Sequence, residues 1–347
     1  MRIAAEHSEQ DGPPPSLPQN PAPRRLVWSE HLPPAEVAKR ETLDLLECYG
    51  LEVAVAIRPG DERDLPRLLD EAAARGITVH LWPMLRNEDG RWLSEHNAEL
   101  FAKFVGRMLE SLGDRQPQVV LDLEPPIETM RQWIRHPTRI VGAAAPSRRR
   151  PTHVRDVVDA LKRQGVEPWA AVVPLLLADP IPGHGGWHAL MGTPVDPQDL
   201  SRLSAMLYSS IALGYGRGWL RRADVRSLLF ETARACVRRW GPRAGASVGA
   251  VGPGALQDER VYDDPSELAE DVGLVRAAGI EDIGLFELQG VLQRPPAERW
   301  LDALCHTEPT KTIPTRSRRA LVAIGLAVGL GQLLKYDRQR PTVRSKK

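Results

Sequence analysis

The stretch Gln118–Pro126, QVVLDLEPP, decides the architecture. Side chains alternate across an extended strand, so Val120, Asp122 and Glu124 share one face while Val119, Leu121 and Leu123 share the other. The all-apolar face belongs against helices, which turns the two carboxylates inward at the C-terminal end of the strand. Two acids on an apolar strand are costly unless they are solvated, paired or used. A separation of ~6.5 Å along the strand lets them interact. One of the two is therefore expected to hold its proton to a raised pKa, and a glutamate in that state suits a general acid. The alternative is that both acids bind structural arginines such as Arg58.

Working outward, seven further short β-runs flank this one: Leu26–Glu30, Glu52–Arg58, Ile77–Trp82, Glu167–Pro174, Ser204–Ser210, Ala246–Gly252 and Ile283–Gln289. Amphipathic stripes lie between them. Leu65, Leu68, Leu69 and Ala72 stop at Gly76; Leu100, Phe101, Phe104, Val105, Met108 and Leu112 stop at Gly113; Val154, Val157, Val158 and Leu161 stop at Gly165. Asp264, Pro265 and Glu267 read as an N-cap, an N1 proline and a capping-box acid for a helix ending at Gly279. Eight strands alternating with helices predict an α/β fold, a closed (β/α)8 TIM barrel over residues 25–305. The helix–glycine–strand junctions are short, whereas the stretches 125–151 and 175–203 are long, and barrels build sites on the long side. The fifth unit leaves room only for a short helix near Pro197–Leu203.

Outside the barrel, residues 1–24 read as a disordered, proline-rich arm. Residues 306–319 read as a linker, 320–336 as an apolar helix carrying Gly325 and Gly329, and 337–347 as a basic tail. The apolar run would rise about 22 Å as a helix, short of a ~30 Å hydrocarbon core. It is expected either to contact a membrane or to dock on the barrel. The start of the chain has no apolar run after its first basic residue and so does not read as a secretory signal, which predicts a cytoplasmic or membrane-associated protein. A net charge of +1 gives no reason to expect a nucleic-acid partner. Cys48, Cys236 and Cys305 build neither a disulfide framework nor a zinc site.

Other strand ends are expected to converge on the mouth: Glu30, Arg58, the pair His80 and Trp82, the pair Met206 and Tyr208, and the pair Glu287 and Gln289. Trp82 could stack on a sugar ring or belong to the core. Tyr208 could donate a hydrogen bond to a reacting centre or cap the packed interior. Glu287 could be a second catalytic carboxylate or pair with Arg58. His80 alone makes no metal site. Gly249, Gly252 and Gly254 could cradle a phosphate or form a tight strand exit.

With LDLE at strand four and MLY at strand six, the chain resembles the chitinase-like family 18 glycoside hydrolases and, less closely, the family 25 lysozymes. Aligned on Glu124, the family motif D-x-x-D-x-D-x-E matches Asp122 but meets Val120 and Pro117 at its outer aspartates, and the family's strand-eight tryptophan is replaced by LFELQG. The resemblance implies an amino-sugar polysaccharide as substrate and no cofactor. It makes Glu124 the acid, Asp122 the group that orients an N-acetyl nucleophile, and Tyr208 its support. If Glu287 lay beside Glu124, a protein nucleophile would become available, since retaining pairs sit ~5–5.5 Å apart. Two other classes compete: an inactive saccharide-binding barrel, membrane-tethered or not, and a phosphate-handling lyase or isomerase.

Overall fold

The computed structural model describes residues 23–142, 153–179 and 186–339. The arm up to residue 22, loop residues 143–152 and 180–185, and the tail from 340 lie outside the described residues. Eight parallel strands close into one barrel in sequence order: β1 (Arg25–Ser29), β2 (Glu52–Ile57), β3 (Val79–Pro83), β4 (Gln118–Leu123), β5 (Trp169–Val172), β6 (Leu203–Leu207), β7 (Ala244–Gly249) and β8 (Asp282–Phe286).

The strand-four parity holds. Val119, Leu121 and Leu123 join the apolar layer between strands and helices, while Val120 belongs to a separate inner cluster with Trp28, Trp82 and Trp169. The helices form where the stripes predict, over Leu65–Ala73, Ala98–Glu110, His153–Arg163 and Pro265–Ala277. Leu100 is the exception: it is exposed, one position outside the buried face. At the last of these helices Asp264 accepts from the Ser266 amide, while Glu267 reaches back to the Asp263 amide rather than to Asp264.

Between β5 and β6 the described residues form only a 3-10 turn (Pro174–Ala178), a six-residue helix (Gly186–Met191) and a second 3-10 turn at Pro197–Asp199. The vacant place in the outer layer is taken by the C-terminal helix, Arg318–Gln339. Trp187 Nε1 donates to the Ala327 carbonyl at 2.8 Å, and Leu334 is buried in the core. Among the described residues, no helix is long and apolar enough to cross a membrane.

The N-terminal end of the barrel is closed by paired charges. Arg24, at the edge of the expected arm, is buried there, its Nε 3.1 Å from both Asp282 oxygens and its guanidinium 3.8 Å above the Trp169 ring. Arg202 also pairs with Asp282. Glu52 accepts from His80 at 2.7 Å, and Trp169 Nε1 donates to the other His80 nitrogen at 3.0 Å. His80 therefore belongs to the floor and not to the mouth. It is the second residue of β3, and its partners stand at the starts of β2 and β5, so the strand's direction carries it to the far end.

Candidate active site

At the other end, β4 delivers Asp122 and the following Glu124, β1 leads directly into Glu30, β2 into Arg58, and β6 into Tyr208. Asp122 is 3% exposed and Glu30 2%; Glu124 keeps part of its surface open to the mouth. Three acids in one apolar enclosure repel one another, and burial penalises each charge further. The Asp122 carboxyl is raised far above the usual range, first by burial and then by the charge of Glu30. Glu124 is raised too, by burial, by the charges of Asp122 and Glu30, and by donating a hydrogen bond to Asp122. Burial and mutual repulsion therefore shift both carboxyls toward the protonated form.

Arg91 is the counterweight. It sits on the loop after β3 in a left-handed backbone conformation (φ 66°), pairs with Glu30, and is held by Asn87 Oδ1 at 2.8 Å. Its charge favours ionised Asp122 and Glu124, but less than the other effects oppose it. The sequence reading missed this residue: it lies in NEDGRWL, a loop with no periodicity to mark it. Arg58 does not meet the strand-four acids. Its Nη2 donates to the Glu30 carbonyl at 2.7 Å, and its own amide donates to Asp61.

Tyr208 follows β6, its ring 5.3 Å from that of Phe286. Burial and the charges of Asp122, Glu124 and Glu30 push its hydroxyl well above the usual phenol range, so it is a neutral hydrogen-bond donor. Trp82 is 3% exposed and packs edge-on against Trp28 at 4.9 Å between centroids. It forms the base of the site, with little open ring face. Its Nε1 and Asp122 Oδ1 are both buried without a well-formed hydrogen bond, although the indole edge lies close enough to favour the ionised carboxylate.

Strand eight ends earlier than expected. The chain passes a cis Phe286–Glu287 peptide and begins a helix at Leu288. Glu287 caps that helix, taking the Gly290 amide on one oxygen at 2.8 Å and the Gln289 amide on the other at 3.1 Å. Burial still raises its pKa to about 7. Strand alternation therefore does not govern Glu287 and Gln289, and Glu287 takes the amides of its helix rather than Arg58. Gly252 and Gly254 face carboxylates: a Cβ would stand 2.5 Å from Glu287 Oε1 and 2.9 Å from Glu259 Oε1 respectively. Two acids at that turn oppose an anion, so it reads as a tight strand exit.

No family model and no curated protein matches the chain. Its structural neighbours are mostly family 18 chitinases and related glycoside hydrolase barrels. They include the PgaB (BpsB) glycoside hydrolase domain from Bordetella bronchiseptica, at TM-score 0.50 and 12% identity over 82% of this chain and 99% of that one. A family 18 N-acetylglucosaminidase from Paenibacillus barengoltzii aligns at TM-score 0.49 and 14% identity over 82% of this chain and 100% of that one. The catalytic domain of a chitinase from Pyrococcus furiosus aligns at 0.45 and 12% over 89% and 98%. Identities this low speak to the fold alone.

Proposed function

We propose that this barrel is a glycoside hydrolase acting on an amino-sugar polysaccharide, with Glu124 as general acid. The observation that carries the reading is the placement of Asp122, buried, and Glu124, half-buried, at the end of β4 inside a barrel mouth that the Glu30–Arg91 ion pair frames. Glu124 gives its proton to the glycosidic oxygen as the C1–O bond breaks. The substrate's acetamido oxygen closes on C1, with its N–H directed to Asp122 and its oxygen steadied by the Tyr208 hydroxyl. Water then opens the ring intermediate and returns a proton to Glu124. Substrate assistance is favoured over a protein nucleophile because both Glu287 oxygens are engaged in capping a helix.

A second reading, a saccharide-binding barrel without turnover, draws support from Val120. It is buried beneath Asp122 where the family motif has another acid, so Asp122 has no carboxyl partner below it. The test is release of reducing ends from chitin oligosaccharides and from partly deacetylated glucosamine polymers. Turnover that falls by at least ~100-fold in Glu124→Gln supports the acid role. Equal rates in parent and variant would sink the assignment of Glu124. Saccharide binding without turnover in the parent would favour the second reading.

A further inference from the structure

The C-terminal helix buries one face and leaves the other uncovered. At 100° per residue, Ala320, Leu330, Gly331 and Leu334 lie on the side that packs against the barrel. Leu321, Val322, Leu326 and Leu333 fall on the opposite side together with Gly325 and Gly329, and only Gln332 interrupts them. These leucines and Val322 are 47–67% exposed, and neither glycine has an atom within 4 Å of its Cβ position. Of the nine exposed large hydrophobic residues among those described, six lie between Ile313 and Leu333. The apolar surface is therefore concentrated on one element rather than scattered, which marks an interaction site.

Charge says what covers it. Between Arg316 and Lys347 the sequence holds nine basic residues against one acid, Asp337, whereas the whole chain carries +1. Arg316 and Arg319 are spent on Glu231 and Asp224, which fix the start of the helix to the barrel. The other seven flank the apolar run in the sequence. An apolar face between basic ends, on a helix unable to span a bilayer, matches an element lying in the plane of an anionic lipid surface.

We propose that the outward face of the Arg318–Gln339 helix docks this protein on an anionic bilayer, with the helix axis parallel to the surface. The inner face is closely seated where the helix crosses Gly186, since a Cβ there would collide with the Gly331 carbonyl. The barrel is thus held against the lipid with a defined side down. An apolar crevice of about 520 Å³ runs between the helix and the barrel, with Ile324 and Val328 on one wall and Leu175 and Leu228 on the other. It offers acyl chain ends a path beside the helix. The helix also packs on the turn that leaves β5, so docking brings the mouth near the membrane plane.

The experiment is co-sedimentation of the full chain with phosphatidylcholine vesicles, with and without about 30% phosphatidylglycerol. Binding that needs the anionic lipid, weakens with salt, and falls at least ~tenfold in Leu326→Glu and in Leu333→Glu is expected. Both side chains are about two-thirds exposed, so unchanged thermal melting checks that the variants fold. Absence of binding by the parent chain overturns the proposal, as does parent-like binding by both folded variants. A parent dimer that Leu326→Glu dissociates, without vesicle binding, also overturns it and assigns the face to a second copy of the chain.

Discussion

Replacing Asp122 with asparagine keeps the shape of the side chain and removes its ability to ionise, and it is expected to stabilise the protein increasingly as pH rises. Asp122 is raised from 3.8 to about 8. Between those limits the folded state holds a proton that the unfolded chain has released, so stability declines as pH climbs from about 4 to about 8 and is level beyond. Each tenfold change in acidity is worth about 1.4 kcal/mol, which puts the upper bound of the penalty near ~6 kcal/mol. Because Asp122 and Glu124 influence each other's titration, a gain of roughly 2–4 kcal/mol at pH 9 is the expected result, shrinking towards zero at pH 4. Urea denaturation of parent and variant at several pH values measures this without any substrate. A variant whose stability difference does not change with pH, or that loses stability as pH rises, would refute the account of a carboxyl held protonated by burial and by its neighbours.

Two other substitutions probe the frame around that pair. Arg91→Met leaves Glu30 buried without its partner and is expected to cost about 3–5 kcal/mol in urea denaturation, most of it recovered in the double variant with Glu30→Gln; a double variant no more stable than the single one would mean that the ion pair is not what Arg91 supplies. Gly331→Ala drives a Cβ to 2.8 Å from Trp187 Cδ1, and it should lower thermal stability by about 1–3 kcal/mol by lifting the C-terminal helix off the barrel.

The barrel was legible because its signal is redundant. Eight β-runs, helical stripes and glycine stops all support one architecture, and the parity of Val119 to Glu124 orients one strand independently of the others. The site was legible only in part. Asp122, Glu124, Glu30 and Tyr208 gather as strand parity and strand ends predict. His80 was misread because alternation gives the face of a strand but not the height along it. Glu287 and Gln289 were read as strand because no proline or glycine stands between Gly284 and Gly290, yet the backbone turns at Glu287 and the side chain caps a helix. Arg91 left no trace at all, since its position comes from a loop turn that only the tertiary fold explains.

The two ends of the barrel contain similar residues and differ in how their charges are compensated. At the floor, Arg24 and Arg202 meet Asp282, and His80 meets Glu52, so cations and anions balance and every partner is a protein group. At the mouth, Arg91 is committed to Glu30 and Arg58 to a backbone carbonyl, while Asp122 and Glu124 have chiefly each other. A buried pair of like groups lowers stability, and a fold selected for stability alone would be expected to replace it with amides or apolar side chains. The floor accounts for itself as structure. The mouth does not, and its cost is what the proposed role of Glu124 as proton donor would require.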